Sequence, residues 1–520
     1  MLFKKLKTYH TILQILKTYS VHLILLPFFF IYNGYNQLFG FLILKTTFLN
    51  FIIILLCVIA CYFLFKFTFR SFQKSAIFTF ILFVLLLGFG YLHDTLKNIF
   101  PDSVIIKYKY LLPILLLFML MVFFYLKYKK ASLSGSILYI NSLMIVLIIS
   151  EIPASIYKYH INKESKNLID YRFSVYNEYY PSQKVSDSLK PDIYFLVFDE
   201  MSSTKALKTA WNIDNSRIDS FLTSKGFYVA ANAESNYSWT VHSISTTFNM
   251  VYLPTSLIPV LNDTKSYFWS TNSVLNNSLT AILKKEQYQI FQYQPISFDN
   301  KDWPYEPTFN HYRIYHYFYK TLPGRIYRDI FWNITKTKLN IFLKSQLRII
   351  EEKNKKKDNY LNYTISKVKE STKYTHQNKF VYGHFSIPHD PFVYDSNGIL
   401  LSPIKTVIKD NKDLLHKYKN QLYYADKLIM EIVTYIQNHN KKNTIIIVEG
   451  DHGFRYYTYE GQKFMYQNMN AIYFPDNKYD LLYDSLCPAN TFRIILNKYF
   501  GTQYILLKNE SFFVPEQKKN

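Results

Sequence analysis

Within the first 155 residues five apolar stretches follow one another, roughly 13–32, 47–65, 75–92, 110–126 and 135–152. Each is long enough, as a helix, to cross the ~30 Å hydrocarbon layer of a bilayer. A backbone in hydrocarbon must satisfy its own polar groups, so such runs are expected to be helices. Residues 1–155 therefore read as a five-span membrane domain, and 156–190, polar and unpatterned, as a juxtamembrane linker. The first stretch is the least clean, with Lys17 and His22 ahead of LILLPFFFIY. It is too long for a signal peptide and lacks a small-residue cleavage site, so it reads as a retained anchor. Loop charges set the orientation. Lys4, Lys5 and Lys7, then Lys66, Arg70 and Lys74, then Lys127, Lys129 and Lys130 all fall on one side, which is the cytoplasmic one. An odd number of crossings then places everything after 155 outside the cytoplasmic membrane.

The formal net charge is +23, which raises the question of nucleic acid. Its distribution answers against that. Residues 1–160 carry 15 Lys/Arg against 3 Asp/Glu, and the remainder 45 against 34. No DNA-reading motif accompanies the excess, and anionic lipid headgroups account better for the basic N-terminal part. The run Lys355-Lys356-Lys357 reads as a solvated helix face or loop. Of the 3 Cys only Cys487 lies in the outer part, so no disulfide forms there within one chain. The abundance of Lys, Asn, Ile, Phe and Tyr points to an AT-rich, bacterial coding genome.

The outer part, 191–505 with a tail at 506–520, has the alternation of an α/β layered domain. PDIYFLVFD at 191–199 is a short continuous apolar run, the pattern of a buried parallel strand, with a carboxylate at its C-terminal end. A second such strand at 380–387 leads into His384-Phe-Ser-Ile-Pro-His389-Asp-Pro391. A third, 443–449, delivers Asp451-His452-Gly453. Between the first two, Asn236–Asn249 enters a helix-like stretch through Thr240. Singly, each residue has an ordinary explanation: a helix cap for Asp199 or Thr240, turn chemistry for Asp451. Jointly, two carboxylates, an imidazole and a hydroxyl at the ligand-binding edge of a sheet suit a divalent cation. A hydroxyl on such a cation gives up its proton more easily and becomes a nucleophile. Arg455, two residues past Gly453, reads either as a partner for anionic oxygens or as an ordinary surface arginine.

The order of these motifs resembles the alkaline phosphatase superfamily, and within it the sulfatase-like membrane branch. The resemblance covers about 190–505 and rests on PDIYFLVFDE, Thr240-x-x-Ser243, the H-x-x-x-x-P-H-x-P segment, VEGDHG and LYDSLCPANTFRIILNKYFG. Spans followed by an outer catalytic domain are similar to lipoteichoic acid synthases and phosphoethanolamine transferases. The resemblance implies an alkaline-phosphatase-like domain with a mainly parallel sheet between helices. It implies metal ligation by Asp199, Thr240, Asp451 and His452, with Thr240 as nucleophile. Those families usually carry Glu at the first position, and Glu200 could supplement Asp199. His389 and His384 would meet substrate. Two absences refine the expectation. No C/S-x-P-x-R motif exists, so no formylglycine can form. The Asp-x-x-x-His step of two-metal relatives is missing, which favours one divalent ion, Mn2+ or Zn2+ first, with Mg2+ or Ca2+ as alternatives.

The expected function is transfer of a phospho-headgroup from a phospholipid donor to a cell-envelope glycan or lipid acceptor through a phosphothreonine. The alternatives are a hydrolase of extracytoplasmic phosphate or sulfate esters and a non-catalytic membrane scaffold. Residues 265–375, with Trp303, Trp332 and the basic aromatic stretch Tyr312–Arg348, read as an insertion or lid.

Overall fold

The computed structural model describes residues 11, 13–37, 44–100, 103–172, 174–179, 181, 185–186, 190–255, 258, 261, 264–293, 317–327, 340–440, 442–455 and 462–514. Two compact units emerge: Met1–Glu164 with Phe309–Leu339 and Gln517–Asn520, and Ser165–Thr308 with Asn340–Glu516. Trp303 and Trp332 lie outside the described residues, as do 312–316 and 328–339 of the stretch Tyr312–Arg348.

The first unit is helical: α1 (His22–Gln37), α2 (Leu44–Phe69), α3 (Phe72–Ile99), α4 (Tyr108–Tyr128) and α5 (Ser134–Arg172), which continues past the unit. Among the described residues four helices are long and apolar enough to cross a membrane: Leu44–Phe69, Phe72–Ile99, Tyr108–Tyr128 and Ser134–His160. The expected first span is not among them. Its helix breaks at Tyr19-Ser20 and resumes as the 16 residues of α1, about 24 Å of rise. The break has a physical basis. Asn141 of α5 donates to the carbonyls of Leu16 (2.8 Å) and Tyr19 (2.7 Å) and accepts from the His22 N–H (2.8 Å). One amide thus satisfies backbone groups that an unbroken helix would pair internally. Leu23, Leu26 and Phe30 pack with Val58, Ala76, Phe83 and Met144. Part of the expected insertion also belongs here: the Tyr317 hydroxyl donates to the Ile31 carbonyl (3.2 Å), and Arg325 pairs with Asp94.

The second unit is a six-stranded sheet between helices. Its strands are β1 (Asp192–Phe198), β2 (Tyr228–Val229), β3 (Gln289–Tyr293), β4 (Lys379–Phe385), β5 (Thr444–Gly450) and β6 (Asn470–Tyr473). The spatial order is β2-β6-β5-β1-β4-β3. The block β5-β1-β4-β3 is parallel, while β6 runs antiparallel to β5 and β2 to β6. The sheet is therefore mixed. The chain between β5 and β6 supplies no crossover helix among the described residues, and a direct return makes neighbours antiparallel.

β1, β4 and β5 are buried along their whole length, which explains their unbroken apolar character. Alternate residues face opposite layers. Tyr194, Leu196 and Phe198 join a core with Tyr418, Leu422, Ile429 and Ile432 of α12 (Asn411–His439). Phe195 meets Phe248 (5.9 Å between ring centroids) and Phe492 (5.2 Å). These come from α8 (Thr240–Asn249) and α13 (Pro488–Phe500) on the other face. Between β1 and β2 lie α6 (Thr204–Trp211) and α7 (Ser216–Ser224). Between α8 and β3 lie α9 (Thr264–Leu275) and α10 (Ser278–Lys285), and α11 (Asn340–Glu370) precedes β4. The stretch 265–375 thus contributes an edge strand and its flanking helices to this layered body.

Candidate active site

β1 ends one residue before Asp199. The Asp199 N–H donates to the Phe385 carbonyl (2.9 Å) and its carbonyl accepts from the His389 N–H (3.1 Å). These two bonds tie the loop after β1 to the loop after β4. The next residue, Glu200, has φ +68°, a conformation costly for a side chain with a Cβ. It is held there from the end of β5: the Glu200 N–H donates to Asp451 Oδ1 (2.9 Å). Gly450, at the end of β5, allows the approach, since a Cβ there would sit 2.2 Å from the Met201 carbonyl oxygen.

Asp451 Oδ1 also accepts from the His452 N–H (3.0 Å), which leaves Oδ2 as the outward oxygen. His452 Nδ1 lies 2.8 Å from the Gly453 carbonyl. A carbonyl only accepts, so the proton sits on Nδ1 and Nε2 carries a lone pair. That nitrogen lies 3.4 Å from Asp451 Oδ2 and 3.9 Å from Asp199 Oδ1. Ligand atoms of Asp199, Asp451 and His452 all fall within 4.8 Å of one another. Thr240 is the first residue of α8. The capping position belongs to Trp239, which makes no side-chain cap bond, and Thr240 Oγ1 stands 3.4 Å from His452 Nε2. The neighbouring hydroxyls are engaged elsewhere. Ser243 donates to the Asp451 carbonyl (2.5 Å), and Ser238 accepts from the Val514 N–H (3.3 Å).

A divalent cation fits this donor set. Asp199 Oδ1, Asp451 Oδ2 and His384 Nε2 are buried without a hydrogen-bond partner, a costly state that a cation would relieve. The electrostatics agree. Burial, then the charge of Asp199, raises the Asp451 carboxyl to about 6. Burial, aided by Arg455, lowers His452 to about 4, keeping its imidazole neutral.

His384 lies in β4, fully buried, with Nδ1 2.8 Å from the Tyr382 hydroxyl and Nε2 3.8 Å from Asp199 Oδ2. His389 and Arg455 sit together at the rim, with Arg455 Nη2 2.6 Å from His389 Nε2. Arg455 also donates to Glu200 Oε1 through its backbone N–H (2.9 Å) and its Nε (3.3 Å). Its guanidinium carbon lies 5.7 Å from the Trp239 ring centroid. Two influences compete at His389. Burial disfavours its charge, yet Asp199, Asp390 and Glu200 raise it to about 10. The guanidinium can only donate, however, so the short contact needs a lone pair on Nε2. We take the neutral Nδ1–H form, which faces Asp390 Oδ1 at 3.0 Å.

All seven residues singled out from the sequence thus gather around one sheet edge. Lys357 was not among them. Lys355 and Lys356 are exposed as expected, but Lys357 turns inward and donates to the carbonyls of His389 (2.6 Å) and Pro391 (3.0 Å). Periodicity carried the signal: Asn354 and Leu361, three before and four after it, are buried on the same helical face.

The family model for Sulfatase matches residues 228–492, just over half of the chain. The chain belongs to the sulfatase family. The match begins after Asp199 and covers Thr240, His384, His389, Asp451, His452 and Arg455. No curated protein matches the chain in sequence. Among solved structures, integral membrane lipooligosaccharide phosphoethanolamine transferase A from Neisseria meningitidis is similar at 12% identity. It covers 94% of this chain and 95% of its own, with a TM-score of 0.35. The C-terminal periplasmic domain of phosphoethanolamine transferase EptC from Campylobacter jejuni is similar at 14% identity, covering 60% of this chain and 90% of its own, with a TM-score of 0.35.

Proposed function

We propose that this sulfatase-family chain is a membrane-anchored phosphotransferase that uses Thr240 as nucleophile. The observation that carries the reading is the Thr240 hydroxyl, free of any capping duty, at the N-terminus of α8 and 3.4 Å from His452 Nε2, beside the unpartnered Asp199 Oδ1 and Asp451 Oδ2. Asp199, Asp451, His452 and Thr240 Oγ1 would hold one divalent ion, Mn2+ or Zn2+ by the donor set. Such an ion lowers the hydroxyl's pKa and offsets charge on the phosphoryl oxygens.

Thr240 Oγ1 forms a bond to phosphorus and loses its proton. The bond from phosphorus to the diacylglycerol oxygen breaks, and that oxygen takes a proton. An acceptor hydroxyl on a glycan or lipid then displaces Thr240 and restores the enzyme. The α8 N-terminus favours the negative charge of the reacting group, and His389, His384 and Arg455 would hold its oxygens and the leaving group. A formylglycine gem-diol cannot arise from threonine, which speaks against sulfate-ester hydrolysis. Four apolar helices speak for a lipid donor. We place the catalytic unit outside the cytoplasmic membrane of a bacterium, with the interrupted helix through Tyr19-Ser20 as a fifth, discontinuous crossing.

The test is incubation of the solubilised protein with headgroup-labelled phosphatidylethanolamine or phosphatidylglycerol and envelope glycan. Labelled glycan is the expected product, and released phospho-headgroup alone would make the enzyme a hydrolase. Mass spectrometry should find the phospho-headgroup on the peptide containing Thr240. Near-normal turnover by Thr240→Ala, or an adduct on Ser238 or Ser243, would exclude Thr240 as nucleophile.

A further inference from the structure

Beyond His389 the chain leaves the rim and makes a turn, with the Gly398 N–H on the Asp395 carbonyl (3.1 Å) and the Leu401 N–H on the Val393 carbonyl (2.8 Å). Between residues 399 and 408 four large aliphatic side chains then face water: Ile399 (63% exposed), Leu400 (37%), Ile404 (61%) and Ile408 (40%). Single exposed aliphatics are ordinary, but several on one short segment mark an interaction surface.

The segment is fastened beside the candidate active site from two sides. Thr406, in the short helix Pro403–Thr406, has its Oγ1 3.4 Å from Asn354 Nδ2 of α11. Asn354 stands about one helical turn before Lys357, which donates to the His389 carbonyl. The Val407 carbonyl accepts from Lys417 Nζ (3.1 Å), and the hydroxyl of the next residue, Tyr418, donates to the Glu200 carbonyl (3.1 Å). Ile404 and Ile408 thus stand at the sheet edge that carries Asp199 and Asp451.

Charge selects the occupant. Lys405, Lys409 and Lys412 accompany the isoleucines, and Lys353 and Lys356 stand on α11; all five are exposed. Nearby acids are engaged: Asp410 caps α12 by accepting from the Asp413 N–H (2.8 Å), Asp413 pairs with Lys417, and Glu351 with Lys355 (2.7 Å). Aliphatic side chains among lysines match a bilayer surface with anionic headgroups, where the apolar groups enter the acyl boundary and the ammonium groups meet phosphates. The same chain carries four helices long and apolar enough to cross a membrane, and tethering to a surface makes even weak contacts with it frequent.

We propose that Ile399, Leu400, Ile404 and Ile408 enter the interface of an anionic bilayer, with Lys405, Lys409 and Lys412 on its phosphates, and so hold the catalytic edge at the lipid surface. This rests on the proposed function for the need to face lipid, because the phosphorus of a lipid headgroup lies in that plane.

The test follows a nitrobenzoxadiazole label on Ile404→Cys in the full-length protein, with Cys57→Ala and Cys61→Ala and with Cys487 left buried. The protein is reconstituted into phosphatidylcholine vesicles with and without phosphatidylglycerol, which carry a nitroxide quencher on the acyl chain. A label on Lys478→Cys is the reference: it follows β6, which runs antiparallel to β5, and so lies at the opposite sheet edge. The label at 404 should be quenched, more strongly with phosphatidylglycerol, and the label at 478 should not. Ile399→Asp with Ile408→Asp should abolish the quenching, and Ile399→Ser with Ile408→Ser serves where the first pair does not fold by circular dichroism. An unquenched label at 404 overturns the proposal, whether its emission is that of water or is blue-shifted by a second copy of the chain. Equal quenching at 404 and 478, or quenching indifferent to phosphatidylglycerol, overturns it too. The readout needs no turnover, so the two readings fail separately. An unquenched label on an active transferase refutes the docking alone, and a quenched label on a protein without transferase activity refutes the proposed function alone.

Discussion

Glu449, on β5 two residues before Asp451, offers a stability measurement with a sign opposite to that of most carboxylates. It is fully buried. Oε2 is within reach of Asn470 Nδ2 (3.1 Å) and Thr491 Oγ1 (3.4 Å), and Oε1 has no partner. Burial raises its pKa from 4.5 to about 8, so the folded protein holds a proton there at neutral pH. The unfolded chain gives that proton up near 4.5. Between those values the folded state binds one proton more, so stability falls as pH rises, by about 1.4 kcal/mol per pH unit from this group. From pH 5.5 to 7.5 the loss is about 3 kcal/mol. Glu449→Gln replaces the protonated acid with a neutral group of the same shape, which keeps an oxygen for Asn470 and Thr491. Denaturant midpoints at the two pH values would be compared for both proteins. The variant should match the wild type near pH 5.5 and exceed it by about 3 kcal/mol at pH 7.5. Taking the difference of differences cancels every other titrating group. Parallel pH profiles for the two proteins would show that Glu449 is not held protonated.

Chelation should abolish activity, and Mn2+ or Zn2+ should restore it. Asp451→Asn and His452→Ala should each lose bound metal together with activity, and full activity of a verified metal-free preparation would refute the metal reading. Lys379 and Asp192 form a fully buried ion pair at 2.8 Å, so Lys379→Met should cost about 3–5 kcal/mol by stranding the carboxylate, measured by denaturant unfolding. A reporter fused after residue 160 should be active only outside the cytoplasm, and a cytoplasm-fluorescent fusion there would overturn the discontinuous fifth crossing.

What the sequence disclosed follows from how strongly each element is constrained. β1, β4 and β5 are covered on both faces, so burial forced unbroken apolar runs that read plainly. β2 has two residues and β6 four, too short to carry a period. β3, with glutamines at two of five positions, reads equally as loop. The direction of β6 was illegible for a different reason: parallel or antiparallel return depends on what the connection does in space. Hydropathy saw the first apolar stretch but not its break, because the cause is Asn141, more than 120 residues away in sequence. Lys357 was hidden by its neighbours. A run of three lysines looks like one solvated face, although successive helical residues point 100° apart and only two of the three remain outside.

The convergence of the candidate residues was legible because parallel pairing converts sequence order into proximity. Phe198 of β1 pairs with Phe385 on one side and Gly450 on the other. The residues that follow, Asp199 and Asp451, therefore leave the sheet side by side, and His384 stands one position before that line. An antiparallel central strand would have sent Asp199 to the opposite edge and left two carboxylates with nothing to share. The same register explains why Gly450 matters more than its neighbours: the turn after β1 must pass over the end of β5 for the Glu200 N–H to reach Asp451 Oδ1. A methyl group at 450 would meet the Met201 carbonyl at 2.2 Å. Relieving that clash would move the backbone that carries both carboxylates, so even a small side chain at this position acts on the proposed metal donors without touching them.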